Sequence, residues 1–132
     1  MKSLNPIPIR GAEHFLASGS MDTTVKIWDV AAERCVATME GHTQSVGALA
    51  VLDAGRLASG SWDRTVKIWD VAGQHCMATL EGHMGDVGAL AVLGAGRFAS
   101  GSLDETVKIW DPITRKCLKT FEIGFEGEYE VA

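Results

Sequence analysis

The sequence predicts an all-β protein built from three similar four-stranded antiparallel sheets, and two observations support that prediction. The first is a repeat of 41 residues, which aligns FLASGSMDTTVKIWDV from Phe15, RLASGSWDRTVKIWDV from Arg56 and RFASGSLDETVKIWDP from Arg97. Between residues 41–80 and 82–121, 25 of 40 positions are identical. Units this similar must adopt nearly the same backbone, so we expect one structural module used three times.

The second observation is the pattern within one unit, which predicts four strands in chain order. They are SVGALAVL from Ser45, RLASGSW from Arg56, TVKIWDV from Thr65 and HCMATLE from His75. Each segment is short and rich in Val, Ile, Leu, Thr and aromatic residues. The connections between them are short and contain Gly or Asp, which are typical of hairpin turns. The unit is therefore predicted to be an antiparallel meander.

Length and charge limit the classes of function. The 132 residues fit one domain, predicted to span residues 1–132. Twelve Lys and Arg against seventeen Asp and Glu give a net charge of −5, which makes nucleic acid and anionic membranes poor partners. The longest apolar run, Val46–Leu52, is too short to span a bilayer. With no signal-peptide pattern at the start, we expect a soluble, cytoplasmic protein.

The recurring dipeptides of the repeat carry a family resemblance. Trp-Asp occurs at Trp28-Asp29, Trp69-Asp70 and Trp110-Asp111, and Gly-His occurs at Gly41-His42 and Gly82-His83. With a period of 41, the chain resembles the WD-repeat β-propeller family. The resemblance implies a partial propeller of three blades, at about residues 5–40, 41–81 and 82–122, with a C-terminal tail at 123–132.

The resemblance also implies a hydrogen-bonded group of four side chains in each complete blade. The predicted tetrads are His42, Ser59, Asp63, Trp69 and His83, Ser100, Asp104, Trp110, with a partial set, Ser18, Asp22, Trp28, in the first blade. A His, Ser and Asp together also suggest a catalytic triad, but an active site would not need duplication in adjacent units. We therefore expect structural groups, and no catalytic, cofactor-binding or metal-binding residue is predicted.

Three cysteines recur with the repeat, at Cys35, Cys76 and Cys117. Their equivalent positions place them on the fourth strands of three different blades. That spacing keeps them apart, so neither a shared metal ion nor a disulfide is expected. We expect three small buried thiols.

The candidate partner-binding residues are apolar side chains in turns that normally take polar residues. Met21, Trp62 and Leu103 each precede the turn aspartate of their blade, and Met84 follows the last Gly-His pair. All four are predicted on one rim of the disc, with Trp62 as the likeliest anchor for another protein. The alternative is that each side chain folds over its own blade or its neighbour.

Three blades are too few to close a ring, because propellers typically use four to eight. Two sheet faces of roughly 400 Å² each are then uncovered. The chain is either a piece of a longer propeller or associates, and two copies would give a six-bladed ring. Asn5–Arg10 is predicted as the innermost strand of blade 1. Glu128–Ala132 falls at the innermost-strand position of a fourth blade and is expected to be loosely ordered.

These inferences predict a non-enzymatic scaffold that binds other proteins through the propeller rim. The alternative is a structural subunit or fragment whose open blade faces dock into a larger assembly. An enzyme that uses His42 or His83 predicts loss of turnover without loss of stability when one His is replaced. We expect instead a loss of about 1 to 3 kcal/mol of stability.

Overall fold

The structure, a computed structural model, describes residues 3–9, 12–53, 55–123 and 129–131. Those residues form thirteen strands. They are β1 (Ser3–Ile9), β2 (Ala12–Ser20), β3 (Val25–Asp29), β4 (Arg34–Met39), β5 (Val46–Asp53), β6 (Arg56–Ser61), β7 (Val66–Asp70), β8 (His75–Leu80), β9 (Val87–Val92), β10 (Phe98–Ser102), β11 (Thr106–Asp111), β12 (Lys116–Ile123) and β13 (Tyr129–Val131). The predicted all-β class is confirmed. Within these ranges the chain forms no helix with the length and hydrophobicity that membrane crossing requires.

Each repeat folds into its own antiparallel sheet, in which consecutive strands are neighbours. Blade 1 has the order β1-β2-β3-β4, blade 2 the order β5-β6-β7-β8, and blade 3 the order β9-β10-β11-β12 followed by β13. The register is conserved among the blades, as shown by the cross-strand pairs Ser18–Lys26, Ser59–Lys67 and Ser100–Lys108. The three predicted meanders are confirmed, and blade 3 carries one additional strand.

Two tight turns of the same geometry recur in every blade. The turn between the second and third strands has one residue of positive φ, at Thr23, Arg64 and Glu105. The turn between the third and fourth strands also has one, at Glu33, Gln74 and Arg115, with φ of 57°, 57° and 64°. Equivalent residues of different blades are therefore presented in the same way, whatever their charge.

The N-terminal strand β1 pairs antiparallel with β2 at the inner edge of blade 1. This matches the predicted innermost strand at Asn5–Arg10, although Arg10 lies outside the described residues. Ser3 pairs with Ser20 in the way that Val46 pairs with Ser61 in blade 2. An edge position tolerates Pro6 and Pro8, because one side of an edge strand donates no ladder hydrogen bonds.

The C-terminal segment differs from the prediction. Glu128–Ala132 was expected at the inner-strand position of a fourth blade, without firm order. Instead, Tyr129–Val131 forms β13, which pairs with Phe121–Ile123 at the outer edge of blade 3. The expectation of a loosely ordered tail is therefore wrong for these three residues, while Glu128 and Ala132 lie outside the described ones. The edge of β12 offers backbone groups for pairing, and the 41-residue repeat carries no signal for that choice.

Neighbouring blades pack face to face around two apolar cores. Each blade has a trailing face, which contacts the next blade, and a leading face, which contacts the previous one. The trailing faces carry a repeated Ala, Val and Ile, at Ala17, Val25, Ile27 in blade 1, Ala58, Val66, Ile68 in blade 2 and Ala99, Val107, Ile109 in blade 3. The leading faces carry an apolar residue and the repeated Trp, at Leu16 and Trp28, Leu57 and Trp69, and Phe98 and Trp110.

A glycine on the second strand of each blade permits close approach of the next blade. A Cβ atom on Gly19 would lie 2.6 Å from Cγ1 of Val46, and one on Gly60 would lie 2.6 Å from Cγ1 of Val87. Any side chain there would force the blades apart. At Gly101 a Cβ would meet only Ala89 of its own sheet, at 3.6 Å. We call these three positions the glycine sockets.

The two ends of the blade stack are more exposed than its middle. On the leading face of blade 1, Trp28 is half-buried, whereas Trp69 of blade 2 is buried. On the trailing face of blade 3, Val107 and Ile109 are half-buried, whereas Val66 and Ile68 are buried at 0% and 2% exposure. Among the described residues, no further blade covers either end face.

Candidate functional site

In blade 2, the four predicted tetrad side chains meet in one hydrogen-bonded group. His42 lies in the connection before β5, Ser59 on β6, Asp63 in the following turn and Trp69 on β7. The distance between His42 Nδ1 and Asp63 Oδ2 is 2.8 Å, and that between His42 Nε2 and Ser59 Oγ is 2.6 Å. Trp69 Nε1 donates to Ser59 Oγ at 2.7 Å. The group therefore links a loop, a turn and two strands.

The partners of each atom define the direction of these hydrogen bonds. A carboxylate only accepts, so His42 Nδ1 carries the proton and donates it to Asp63. His42 Nε2 then accepts from the Ser59 hydroxyl, whose oxygen accepts from the Trp69 indole. A neutral imidazole satisfies all of these atoms at once.

Blade 3 repeats the same arrangement. His83 Nδ1 lies 2.9 Å from Asp104 Oδ2, and His83 Nε2 lies 2.7 Å from Ser100 Oγ. Trp110 Nε1 donates to Ser100 Oγ at 2.7 Å. The distances in the two blades differ by no more than 0.1 Å, so the shared sequence produces the same local geometry twice.

The prediction omitted a fifth member of each group, a threonine. Thr65 Oγ1 donates to Asp63 Oδ1 at 2.6 Å, and Thr106 Oγ1 donates to Asp104 Oδ1 at 2.6 Å. The backbone amide of each threonine binds the same oxygen. The sequence did hold a signal, because a Thr follows the turn aspartate by two residues in all three repeats.

Burial and hydrogen bonding shift the pKa values of the group. Burial lowers the pKa of His42 below 6.5, and its hydrogen bond to Asp63 opposes that shift without reversing it. Burial by itself raises the pKa of Asp63, but hydrogen bonds from Thr65, His42 and the Thr43 amide outweigh it and lower the pKa to about 2. The equivalent bonds in blade 3 hold the pKa of Asp104 well below its usual range. Both aspartates are therefore ionised at neutral pH.

The serine hydroxyls are poorly placed for nucleophilic chemistry. Ser59 and Ser100 are 0% and 1% exposed. Each oxygen already accepts a hydrogen bond from a Trp indole and faces a His ring. A nucleophile must be reached by the substrate, and these two are enclosed by their own blade and its neighbour. Among the described residues, no group of three His, Cys, Asp or Glu side chains is arranged to hold a metal ion.

Blade 1 keeps only part of the arrangement, because Met1 occupies the position that corresponds to His42. Trp28 Nε1 donates to Ser18 Oγ at 2.8 Å. Asp22 accepts hydrogen bonds from the amide and the hydroxyl of Thr24, which lower its pKa together with a hydrogen bond from Ser20. The turn of blade 1 is thus held by hydrogen bonds among its own residues.

The candidate rim residues are exposed at one end of the blades. The exposed fractions are 45% for Met21, 41% for Trp62, 74% for Met84 and 77% for Leu103. Three of them occupy the equivalent turn of successive blades. Met84 lies beside Leu103, because a Cβ on the next residue, Gly85, would be 3.3 Å from the backbone carbon of Leu103. We call these four residues the apolar rim.

Trp62 both packs on its blade and remains exposed. A Cβ on Gly47 would lie 3.2 Å from Trp62 Nε1 and 3.6 Å from the Val87 carbonyl oxygen. The indole therefore lies across the start of β5, close to the boundary with blade 3. Its backbone amide donates to the Ser45 carbonyl at 2.9 Å, which fixes the base of the side chain. The Trp62 ring is held in place with 41% of its surface open to solvent.

The cysteines lie on the outer strands β4, β8 and β12, but the expectation of buried thiols is wrong. Cys35 and Cys76 are half-buried, and Cys117 is exposed. Each Sγ lies 3.2 to 3.3 Å from the carbonyl oxygen two residues ahead. The outer strand has solvent on one side, so its equivalent positions are not enclosed by the packing between blades.

Comparison with known proteins shows a family match along most of the chain. The model of the family "WD domain, G-beta repeat" matches residues 11–29, 33–70 and 74–111. These three stretches contain strands β2 to β11 and the Trp-Asp dipeptides of all three blades.

Curated relatives share short stretches with the chain. Mitochondrial division protein 1 of Pyricularia oryzae is 55% identical over 38 residues, which are 29% of this chain and 6% of that protein. Coatomer subunit beta'-1 of Arabidopsis thaliana is 45% identical over 40 residues, 30% of this chain and 4% of that one. Nuclear distribution protein PAC1-2 of Uncinocarpus reesii is 41% identical over 56 residues, 42% of this chain and 12% of that one.

Solved structures resemble the chain along nearly its whole length. The structure of U3-55K and that of the RRP9 WD40 repeats each match with a TM-score of 0.79 and 30% identity. The match covers 92% of this chain and 36% of each solved chain. This chain therefore spans about a third of the length of those structures.

Proposed function

Because the chain belongs to the WD40-repeat family, we propose that it is a non-catalytic scaffold that binds other proteins through its apolar rim. The observation that carries this proposal is the exposure of Met21, Trp62, Met84 and Leu103 at one end of the blades. Exposed apolar side chains that recur on one surface are typical of protein-binding sites. We further propose that residues 1–132 act as one domain, because the apolar packing is continuous from blade 1 to blade 3.

The backbone beneath the apolar rim is held by hydrogen bonds. The amides of Trp62 and Leu103 donate to the carbonyls of Ser45 and Asp86, each at 2.9 Å. The Met84 amide donates to Asp104, so the hydrogen-bonded group of blade 3 also fixes the rim. A surface ordered before binding loses little conformational entropy when a partner docks. Tryptophan is also the residue type most enriched at the energetic centres of interfaces.

The charge of the chain supports a protein partner. The net charge of −5 disfavours the phosphate backbone of nucleic acids and anionic lipid headgroups. The relatives indicate no particular partner, because proteins named for mitochondrial division, coatomer and nuclear distribution match the chain only over stretches of 38 to 56 residues. What they share is a module and not a process.

The absence of catalysis in this proposal rests on the geometry of the serines. Ser59 and Ser100 are enclosed, and each hydroxyl is held between an indole and an imidazole. The Asp–His–Ser arrangement then acts to join strands. The unpaired thiols Cys35, Cys76 and Cys117 suit a reducing compartment, so we propose the cytoplasm as the location.

A displayed library of random peptides tests the rim directly. Peptides are selected on the wild-type chain, and their affinities are then measured by fluorescence polarisation for Trp62→Ala, Leu103→Ser and Ile113→Ser. Ile113 is a matched control, since it is 73% exposed against 77% for Leu103 but lies in a turn at the opposite end of blade 3. We expect the two rim variants to weaken binding by about tenfold or more, and Ile113→Ser to leave it unchanged.

Thermal unfolding and mass measurements on each variant exclude a general loss of structure. Equal binding by wild type, Trp62→Ala and Leu103→Ser would contradict the proposal. Loss of binding with Ile113→Ser alone would place the site at the opposite rim.

The second candidate function is that of a structural subunit whose end faces dock into a larger assembly, such as a ring of two copies. The observation in its favour is the incomplete burial of Trp28 on blade 1 and of Val107 and Ile109 on blade 3. In the peptide experiment, this function predicts selected peptides whose affinity is lowered by substitutions on those two end faces and is unchanged by substitutions in the apolar rim.

A further inference from the structure

We infer that the trailing face of blade 3 binds the leading face of blade 1 in a second copy of this chain, with Lys119 of one copy opposite Glu33 of the other. Two such junctions close a ring of six blades. This inference does not depend on rim binding. It rests on the apolar residues, the glycine socket and the charges at the two end faces.

The trailing face of blade 3 keeps the residues that bind the next blade elsewhere in the chain. Ala99, Val107 and Ile109 stand where blades 1 and 2 bury Ala, Val and Ile. The socket at Gly101 is open, whereas those at Gly19 and Gly60 are filled by Val46 and Val87. This face is therefore built for a neighbouring blade.

The leading face of blade 1 keeps the complementary residues. Leu16, Trp28 and Val30 line a surface hollow, together with the charged residues Asp29, Glu33 and Arg34. In blade 2 the equivalent residues, Leu57, Trp69 and Val71, pack in the core between blades 1 and 2. A blade like blade 1 fits beside blade 3 in the way that blade 2 fits beside blade 1.

One pair of positions shows which blade the end face of blade 3 accepts. At the boundary of blades 1 and 2, Ala37 of β4 and Gln74 of the facing turn line the same cavity of about 300 Å³. At the boundary of blades 2 and 3, the equivalent residues are Ala78 of blade 2 and Arg115 of blade 3. At the end faces they are Lys119 on blade 3 and Glu33 on blade 1. The closing junction is the only one of the three that places opposite charges at this pair of positions.

The backbone supports this equivalence. Ala37 and Ala78 are buried at 8% and 9% exposure, so a neighbouring blade covers this position. A lysine here needs an anionic partner from that neighbour, because a covered ammonium group is costly when unpaired. Glu33 has the same φ as Gln74, 57°, in the same turn, and therefore projects from an equivalent point.

Arg97 adds a second cation to the end face of blade 3. Its equivalent in blade 2, Arg56, forms an ion pair of 2.7 Å with Asp53 of its own hairpin. Position 94 is Gly where blade 2 has Asp53, so Arg97 instead donates from Nε to the Gly94 carbonyl at 3.5 Å. The equivalent of Arg97 in blade 1, Phe15, lines the same cavity as Ala37 and Gln74. Arg97 therefore strengthens the positive character of this face toward Glu33.

The area involved suits a closed ring of two copies. A four-stranded face with strands of about six residues covers roughly 400 Å². A ring uses two faces of each chain, or about 800 Å² per copy, which is the size of a typical stable interface. A single junction would bury only half of that area.

A charge swap across the junction tests the inference by sedimentation velocity and light scattering on the purified chain. Wild type is expected at twice the chain mass of 14.1 kDa. Lys119→Glu alone places two glutamates at both junctions, and Glu33→Lys alone places two lysines there, so each variant is expected to dimerise at least about tenfold more weakly. Mixed in equal amounts, the two variants form a heterodimer with opposite charges at both junctions, and the mass of a dimer is expected to return.

A steric variant provides a second test that leaves the chain itself intact. Gly101→Val fills the open socket, where a Cβ is in ordinary contact with its own sheet, and is expected to leave the melting profile of the monomer unchanged while abolishing the dimer. If the wild-type chain stays monomeric at a chain concentration of about 100 μM, where even a dimer with a Kd of about 10 μM would form, the inference is overturned. A dimer that is insensitive to both charge variants and to Gly101→Val overturns it as well.

Discussion

Blade 2 lies between two neighbouring blades, whereas blade 3 contacts another blade on one face only. The two blades agree in their hydrogen-bonded groups and differ in the burial of their apolar strands. Their hydrogen-bonded groups are equal in geometry and burial, with Ser59 and Ser100 both enclosed. Their apolar strands are not equal, since Ala50 of β5 is buried and the identical Ala91 of β9 is exposed. The polar group is therefore formed within a blade, while the burial of the strands depends on the adjacent blade.

This difference separates two kinds of stabilisation in a repeat protein. Stability in such a stack is approximately a sum of terms within each repeat and terms at each interface. The hydrogen bonds of His42, Ser59 and Trp69 belong to the first kind. The contact of Gly60 with Val87 belongs to the second. Substitutions that affect one kind and spare the other can measure each.

The largest effect is expected at a glycine socket. Gly60→Ala places a Cβ 2.6 Å from Val87 Cγ1 and forces blades 2 and 3 apart, which we expect to cost about 3 kcal/mol of unfolding free energy. Gly101→Ala places its Cβ 3.6 Å from Ala89 and is expected to cost less than about 0.5 kcal/mol. Urea unfolding at a submicromolar chain concentration measures the unfolding free energies of both variants as monomers. Equal costs at the two glycines would show that blade 3 is packed as blade 2 is.

A smaller effect is expected within the hydrogen-bonded groups. Ser59→Ala leaves His42 Nε2 and Trp69 Nε1 buried without their partner and is expected to cost about 2 kcal/mol. Ser18→Ala removes only the partner of Trp28 Nε1, which lies on a half-exposed face, and is expected to cost about 1 kcal/mol. The same urea titrations compare the two. A larger cost at Ser18 than at Ser59 would contradict the view that the complete group stabilises its blade.

The features that the sequence predicts well are those set within one repeat. The four strands of blade 2 and their turns follow from local patterning, and the 41-residue spacing transfers them to blades 1 and 3. Thr65 was overlooked because a threonine after a turn aspartate has an ordinary local role in any hairpin. Its hydrogen bond to Asp63 is local, and the recurrence of the threonine in all three repeats is the sequence signal for it.

The features that the sequence predicts poorly depend on what lies beside a strand. β13 pairs with the outer edge of β12 because that edge is available, and the repeat contains no equivalent strand. Cys117 is exposed, whereas the equivalent Cys35 and Cys76 are half-buried, and the identical repeat position does not predict this difference. The sequence also does not show that Lys119 lies on a face that packs against another blade. That is known only from the structure, in which the equivalent Ala37 and Ala78 are buried.

The smallest effect is expected from pH, and it tests the neutral imidazole of blade 2. Because burial lowers the pKa of His42 below 6.5, the unfolded chain takes up a proton at mildly acidic pH before the folded chain does. The contribution of His42 to the unfolding free energy is thus expected to be greatest above about pH 6.5 and to fall as the pH drops below that value. Asp63, with its pKa lowered to about 2, adds a further fall between about pH 4 and pH 2, where the unfolded carboxylate is protonated first.

Urea unfolding of wild type, His42→Gln and His75→Gln at pH 7.5, 6.5 and 5.5 measures the histidine contribution. His75 serves as the control because its side chain is 60% exposed at the start of β8, outside the hydrogen-bonded group. His42→Gln is expected to be less stable than wild type at pH 7.5 and to lose part of the decline toward pH 5.5. His75→Gln is expected to keep the wild-type decline. If His42→Gln declined as steeply as wild type, the pKa of His42 would be the same in the folded and the unfolded chain, and the neutral, buried imidazole of blade 2 would be contradicted.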